Sequence, residues 1–387
     1  MKRVYLDHAA TTPVDPEVAE AMARVLRESH GNPSSIYAEG RAARALVDQA
    51  RVEVAAAIGA EPAEIVFTSG GTEADNLALR GALKARRGDE KNGLVVSAIE
   101  HHAVLDTAHD LERHAHVRVS VVGVDGEGRV DPADVAREID ERTGLVSVMH
   151  ANNEIGTIEP IGEIGPICRE RGVPFHTDAV QTVGALDFDV RRIAVDLVSI
   201  NAHKFYGPKG VGALYVRRGT PVATMQTGGG QEKGRRTGTE NVAGIVGLGA
   251  AMRTAAARRG TESARQAKLR DRIIDGVLGR VPDAVLNGHR TERLPNNANF
   301  CIAGVEGESL IVALDLEGFA VSSGSACTSG ETEPSYVILA LGRDRELAKG
   351  SLRVTVGRAT TEADVEAFLA TLPGVVERLR SAATVTV

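Results

Sequence analysis

Strand-like and helix-like segments alternate from about residue 15 to residue 255, and this alternation limits the possible folds more than any other feature. Short apolar runs rich in β-branched residues predict strands at 64–68, 94–98, 117–122, 145–150, 173–177, 196–200 and 212–216. Helical patterns lie between them at 38–58, 73–86, 103–114, 132–141 and 161–171. Such alternation is typical of a mainly parallel sheet with helices on both faces, so the predicted fold class is α/β.

The pattern changes after a basic, glycine-rich stretch at 228–238. A segment at 243–280 predicts one long helix or two shorter ones, followed by strands near 299–302 and 352–356 and helices near 309–317 and 362–380. The chain has 387 residues, whereas single cores stop growing near ~250–300 residues. We therefore expect a large domain at 15–255 and a smaller α+β domain formed by 1–14 and 256–387.

Composition narrows the possible partners. The formal net charge is −7, there is no tryptophan, and aromatic residues make up 3% of the chain. These properties argue against a nucleic-acid or anionic-membrane surface, so we expect no nucleic acid and no membrane as partner. Residues 1–12 lack a signal-like apolar stretch, and the weakly polar run at 242–252 is shorter than the ~20 residues of a membrane helix, so a cytoplasmic location is expected.

The three cysteines, Cys168, Cys301 and Cys327, form no CxxC pair. Their spacing matches neither a disulfide framework nor a zinc site, and no HExxH motif is present, so no metal is expected. Cys168 lies in an apolar helical pattern and Cys301 in a predicted strand, which favours core positions for both. Cys327 lies among small polar residues and glycines at 321–330, which favours an accessible thiol, with an inert role equally open.

Two predicted strands end in ionisable side chains. The strand at 196–200 leads into His203 and Lys204, and the strand at 173–177 leads into Asp178. Ligands of α/β sheets bind just beyond the carboxyl ends of the strands, so Lys204 is a candidate for a Schiff base and Asp178 for its acidic partner. The alternatives are a surface lysine and an aspartate that caps a helix.

A third strand leads into a glycine-rich turn and then a helix at 65–76. The free amides at the start of such a helix bind anions, so Gly71 and Thr72 are candidate phosphate ligands. A ligand-free turn with Thr72 as the helix cap is the alternative. The turn is neither a dinucleotide fingerprint nor the loop of a nucleotide hydrolase.

Two further residues are candidates for ligand contacts. His101 follows the strand at 94–98, and a ring-stacking or acid–base histidine is favoured over a metal ligand there. The alternative is an exposed, histidine-rich helix. Arg353 could hold a substrate carboxylate through its planar guanidinium, although a lone arginine more often forms a surface ion pair.

In order and spacing these residues resemble the cysteine desulfurases, within the class-V aminotransferase group of fold-type-I pyridoxal phosphate (PLP) enzymes. The resemblance covers nearly the whole chain. The matching motifs are YLDHAATTP (5–13), GNPS (31–34), FTSGGTE (67–73), EH (100–101), NNEIG (152–156), HTDAVQ (176–181), AHK (202–204), GGG (228–230), RTGT (236–239), SSGSAC (322–327), EPSY (333–336) and Arg353. The cysteine segment is similar to that of the long-loop group, which serves iron–sulfur cluster assembly.

The resemblance implies PLP bound covalently to Lys204 and a role for each matching residue. Asp178 would face the pyridine nitrogen and His101 would stack on the ring. The other cofactor contacts would come from Asn153 and Gln181 near the ring hydroxyl, from Gly71, Thr72, Asn201 and His203 at the phosphate, and from Thr239 of a neighbouring subunit. Many relatives have serine at the position of Asn201, and asparagine can also donate a hydrogen bond to phosphate.

The same resemblance implies the reaction and its partners. Asn32 and Arg353 would hold the carboxylate of L-cysteine, and Cys327 would receive the sulfur as a persulfide and pass it to an acceptor such as an iron–sulfur scaffold protein. The role of Thr239 implies a homodimer. A selenocysteine lyase, another class-V PLP reaction and a sulfur carrier without turnover stay open as alternatives. The docking mode on a scaffold also stays open, because some relatives have a longer tail after the last helix.

Overall fold

The computed structural model describes residues 3–86, 90–323 and 333–385. The strands are β1 Val4–Tyr5, β2 Ile65–Thr68, β3 Gly93–Ser97, β4 Arg118–Val122, β5 Thr143–Ser147, β6 Phe175–Asp178, β7 Leu197–Asn201, β8 Gly212–Val216, β9 Ala284–Asn287, β10 Asn297–Ile302, β11 Phe319–Ala320 and β12 Ser351–Thr355. The α-helices are α1 Pro16–Glu28, α2 Ala38–Ile58, α3 Gly71–Ala85, α4 His102–Ala115, α5 Pro132–Glu138, α6 Ile161–Glu170, α7 Val190–Ile193, α8 Val242–Arg280, α9 Gly307–Leu316, α10 Tyr336–Ala340, α11 Arg345–Lys349 and α12 Glu362–Val385.

Seven strands form the main sheet in the order β2-β8-β7-β6-β5-β3-β4. The strands from β7 to β4 pair in parallel, whereas β8 runs antiparallel to both β7 and β2. The mainly parallel α/β sheet predicted from the sequence is therefore confirmed. The strand predicted at 145–150 lies at Thr143–Ser147, because pairing with β3 and β6 sets its ends and sequence pattern locates such ends poorly.

Helices cover both faces of this sheet. On one face, α3 and α4 pack on residues such as Leu94 and Val96. On the other face, α2, α6 and the first part of α8 pack on residues such as Val95 and Val146. Neighbouring side chains of β3 thus point to opposite faces, and both faces are apolar because both are buried.

A second hydrophobic cluster surrounds the antiparallel sheet β12-β10-β9 and the parallel pair of β1 with β11. The predicted segment at 243–280 is one helix, α8, of 39 residues. Leu248 and Met252 of α8 pack in the cluster around the main sheet, while Ile273 and Val277 pack in the second cluster. One continuous helix therefore contributes to both cores, and the domain boundary near residue 255 stays a prediction.

Several elements were not predicted, among them α1 and the two-residue strands β1 and β11. A two-residue strand carries no periodic signal, because its pairing depends on a distant partner. Within residues 3–86, 90–323 and 333–385, no helix combines the length and the apolarity needed to cross a bilayer.

Helix α9 offers a matched test of the second core. Leu314 is fully buried in that cluster, whereas Leu316 on the same helix is 82% exposed. We expect Leu314→Ala to lower the free energy of unfolding by about 2–5 kcal/mol, through lost burial and a residual cavity. Leu316→Ala should change it by less than about 0.5 kcal/mol. Chemical denaturation of both variants measures the difference, and equal losses would contradict the described packing.

Candidate active site

The carboxyl ends of the parallel strands open into one cavity of about 300 Å³. Ten of the predicted site residues line it: Gly71, Thr72, His101, Asn153, Asp178, Gln181, Asn201, His203, Lys204 and Arg353. They come from the ends of β2, β3, β5, β6 and β7 and from β12. The structure thus brings together residues that are up to 282 positions apart in the sequence (353 − 71).

Lys204 ends a short 3-10 turn, Ala202–Lys204, that directly follows β7. Its Nζ donates hydrogen bonds to the carbonyl oxygens of Ala9 at 2.6 Å and Ala10 at 2.9 Å. The Ala9 carbonyl also accepts from Gln181 Nε2 at 3.0 Å. The N-terminal segment therefore fixes the amine against the cavity wall, so Lys204 is not the surface lysine of the alternative interpretation.

Asp178 is the last residue of β6 and only 6% exposed. Its Oδ1 accepts from the Val180 amide at 2.8 Å, as a capping aspartate does, but a turn rather than an α-helix follows at 179–186. Burial raises the pKa of Asp178, and the Val180 amide and the Lys204 ammonium oppose the rise. A buried carboxyl with one cation nearby is suited to binding a cationic ring nitrogen.

An anion site, formed by Gly71, Thr72, Asn201 and His203, lies at the start of α3. Helix α3 is capped by Gly70 without a side-chain hydrogen bond, so Thr72 is not its cap. A Cβ on Gly71 would lie 2.9 Å from Val180 Cγ2 and 3.3 Å from Asn201 Nδ2, so glycine permits this close approach. The amides at the start of α3, which lack a side-chain cap, and the Asn201 side chain lie close together in the lining of this cavity.

His101 is the N-cap of α4, where its Nδ1 accepts from the Ala103 amide at 3.0 Å. Burial, reinforced by the nearby Lys204 charge, lowers the pKa of His101 to about 4. The ring is therefore neutral at pH 7, and because Nδ1 accepts, the ring proton lies on Nε2.

Arg353 on β12 is 2% exposed. Its Nη2 pairs with Asp7 Oδ1 at 2.9 Å, and its Nη1 donates to the Asn153 carbonyl at 3.0 Å. Its buried Nε has no hydrogen-bond partner among the described residues. A cavity-lining guanidinium with a spare donor matches a carboxylate ligand better than the predicted alternative of a surface ion pair.

The remaining predicted residues lie elsewhere. Asn32 and Thr239 are exposed and outside the cavity of their own chain. Cys327 and most of its segment, 324–332, lie outside the described residues. Cys168 and Cys301 are fully buried, as predicted. Burial raises the pKa of the Cys168 thiol to about 12 and also raises that of Cys301.

Sequence reasoning missed six residues that line the cavity: Ala9, Ala10, Asp75, Met149, Ala151 and Val180. Only Asp75 left a usable signal, because it lies four residues after Gly71 and thus on the same face of a predicted helix. Ala9 and Ala10 act through their backbone carbonyls, which no residue type reveals. No group of three or more potential metal ligands comes together within the described parts of the chain.

These residues fit the PLP expected from the resemblance. The anion site presents helix amides without a side-chain cap, Asp178 supplies a buried carboxyl, and Lys204 supplies an amine, all within one cavity. Its volume of about 300 Å³ also lies within the ~300–1,000 Å³ typical of small-molecule sites.

Comparison with known proteins also supports the family resemblance found in the sequence. Residues 4–368 match the family described as aminotransferase class-V. "Cysteine desulfurase IscS" of Dictyoglomus turgidum is 51% identical over 382 residues, which cover 98% of this chain and 96% of that protein. A solved NifS-like protein has a TM-score of 0.91 at 36% identity and covers 97% of this chain and 100% of its own. A structure of SspA in complex with cysteine has a TM-score of 0.81 at 34% identity and covers 91% and 98%.

The lowered pKa of His101 can be measured without a ligand. Since burial favours the neutral ring, its ring carbon shifts in NMR spectra should stay constant from pH 8 down to about pH 5. The His101→Gln variant assigns the resonance. Titration of that resonance near the ordinary histidine pKa of about 6.5 would contradict the buried, neutral state.

Proposed function

The chain belongs to the class-V aminotransferase family, and on this premise we propose that it is a cysteine desulfurase, which removes sulfur from L-cysteine and releases L-alanine. The observation that carries the proposal is the single cavity, where an amine, a carboxyl group, an anion site and a spare guanidinium donor face one another. The relative named cysteine desulfurase supports the reaction, and the cysteine complex of SspA supports the substrate.

The family implies PLP as cofactor, and PLP when bound supplies an electron-accepting ring that stabilises negative charge on the substrate. We propose that Lys204 holds it covalently through Nζ and that Asp178 faces its ring nitrogen. Asn153 and Gln181 line the cavity where they would contact the ring hydroxyl. The anion site would bind its phosphate, since helix amides and the Thr72 hydroxyl donate well to phosphate.

We propose that two residues move protons. As a neutral amine next to the carbonyls of Ala9 and Ala10, Lys204 Nζ would take the proton from the substrate α-carbon once it no longer holds the cofactor. His101 keeps its proton on Nε2 at neutral pH and can act as a hydrogen-bond donor towards the cavity.

Arg353 would bind the carboxylate of cysteine. Asp7 and the Asn153 carbonyl already hold two of its nitrogens, so the guanidinium is fixed before the substrate arrives. Its Nε is buried and lacks a partner among the described residues, so the guanidinium keeps one donor that a carboxylate would satisfy. Such preorganisation reduces the entropy that binding must overcome.

We propose Cys327 as the nucleophile. Its thiolate would attack the sulfur of the substrate, so that a sulfur–sulfur bond forms, the carbon–sulfur bond breaks and the carbon takes up a proton to give alanine. The persulfide sulfur would then pass to an acceptor protein, for example in iron–sulfur cluster assembly. A cytoplasmic location suits this chemistry, since reducing conditions keep the thiol free.

We also propose a homodimer with shared active sites. Thr239 is exposed and does not line the cavity of its own chain. Ile36 and Tyr37, four and five residues beyond Asn32, are 89% and 56% exposed, and such apolar exposure is typical of interaction sites. A partner subunit seated there would place Thr239 of one chain at the phosphate of the other.

The reaction and the role of Cys327 can be tested together. The purified protein should show the visible absorbance of PLP and convert L-cysteine to alanine with sulfide in the presence of a reductant. Cys327→Ser should keep the absorbance but lose protein-bound persulfide and at least ~10²-fold in turnover, because a hydroxyl cannot accept the sulfur. Lys204→Ala should lose covalent cofactor.

Cys168→Ala and Cys301→Ala serve as matched controls, because both thiols are buried and their pKa values are raised. Both should form persulfide like the wild type. Normal alanine and persulfide formation by Cys327→Ser would exclude Cys327 as nucleophile. Keto-acid-dependent amino transfer without sulfide, or activity on selenocysteine alone, would exclude the desulfurase itself.

Subunit mixing tests the homodimer. Thr239→Ala and Lys204→Ala should each reduce activity as homodimers. If Thr239 serves the partner's site, a mixed dimer has one site with wild-type Lys204 and wild-type Thr239, and mixing should restore up to about half of the wild-type activity per mixed dimer. If each chain uses its own Thr239, neither site is intact and mixing restores nothing.

A further inference from the structure

A row of buried polar side chains crosses the main sheet next to the cavity. Ser147 on β5, His176 on β6 and Ser199 on β7 form this polar row on the face covered by α3, and none of them is exposed. His176 Nδ1 lies 2.8 Å from Ser147 Oγ, and its Nε2 lies 3.0 Å from Ser199 Oγ. Both ring nitrogens are thus engaged, so the ring is held in one orientation.

Asp75 of α3 lies over this polar row. Its Oδ1 is 3.6 Å from His176 Nε2, beyond hydrogen-bond distance, and has no hydrogen-bond partner among the described residues. Asp75 is 1% exposed, yet it lines the cavity together with Asp178. The proposed mechanism does not use this carboxyl group.

The ionisable groups that face Asp75 are mostly acidic or neutral. Asp178 acts on it as a negative charge, and Glu100 does so when it is ionised. His176 and His101 are neutral at pH 7, because burial lowers the pKa of the former to about 3 and of the latter to about 4. Lys204 is the cation nearby, and its charge acts on Asp178.

Two neighbouring buried carboxyl groups, of which only one is stabilised by a nearby cation, favour keeping one proton at neutral pH. Asp178 has the Val180 amide and the Lys204 charge to stabilise its ionised form. For Asp75 the largest influences are burial and the charge of Asp178, which raise its pKa well above the usual range, and a hydrogen bond with the Ser199 side chain, which opposes the rise. The asymmetry places the proton on Asp75.

We propose that Asp75 is a positioning residue that keeps the shared proton, so that Asp178 stays ionised towards the ring nitrogen of the cofactor. The effect of Asp75 on the cofactor rests on the proposed function, whereas the protonation of Asp75 is inferred from the described residues alone. A neutral Asp75 adds a hydrogen-bond donor beside Asp178, where an ionised Asp75 would add a second negative charge.

The apoprotein tests whether the carboxyl pair keeps a proton at neutral pH. Folding raises the pKa of such a carboxyl above the value of about 3.9 that it has in the unfolded chain. Its contribution to stability is therefore complete below about pH 3.9 and is lost as the pH rises through the pKa of the folded state. Asp75→Asn removes that loss, so the Tm of this variant minus the wild-type Tm should grow steadily from pH 5 to pH 8. The exposed Asp275→Asn, on α8, should show no such trend. A difference between Asp75→Asn and the wild type that stays constant over this range would overturn the proposal.

The loaded enzyme tests the effect on the cofactor. If Asp75 is neutral, Asp75→Asn should shift the pH midpoint of the visible absorbance by less than about 0.5 unit, whereas loss of an ionised neighbour would lower it by about one unit or more. A fall of that size would overturn the proposal. A protein that never binds PLP would refute the proposed function. The apoprotein experiment would still show whether the carboxyl pair keeps a proton. Should the variant not fold, 13C NMR of aspartate-labelled wild type must show one carboxyl protonated to pH 8, and its absence would overturn the proposal.

Discussion

The site depends on the hydrogen bonds that the Lys204 ammonium donates to two backbone carbonyls. Those carbonyls belong to Ala9 and Ala10, in the segment that continues from β1. The same segment is tied to β12, because the Ala9 amide donates to Thr355 Oγ1 at 2.9 Å and Asp7 pairs with Arg353. One stretch of chain therefore joins the amine of the main sheet to the guanidinium of the second sheet, and the cavity lies between them.

The burial of ionisable groups also determines the properties of this site. Asp178 and Asp75 lie in a region where ionised groups are costly unless paired. The described residues near them include the Lys204 cation, the Val180 amide and the neutral rings of His101 and His176. The proposed binding of a cationic ring nitrogen by Asp178 agrees with this distribution of charge. Glu100 belongs to the same environment, and burial raises its pKa to about 8 while the Ser97 hydroxyl and the Met149 amide oppose the rise.

Much of the fold was accessible from the sequence because the main sheet is buried on both faces. Buried strands such as β7 read as short apolar runs, and long helices such as α2 read as periodic patterns, so type and order were predictable. The alternation did not reveal that β8 runs against its neighbours, since strand direction is a property of pairing. Nor did it reveal β1 and β11, which are defined only by their contact with each other.

For the site, the sequence by itself determined which side chains stand at the strand tips, because an apolar run that ends in a polar group marks the edge of a sheet. Lys204, Asp178 and His101 could be named on that basis, and the resemblance to a family assigned them roles. The tertiary structure alone decided that Ala9 and Ala10 hold the amine, that Asp7 holds Arg353 and that Asp75 faces Asp178. These contacts join backbone carbonyls and buried carboxyls that are far apart in the sequence. Since all backbone carbonyls are chemically alike, the residue types do not show which groups will come into contact.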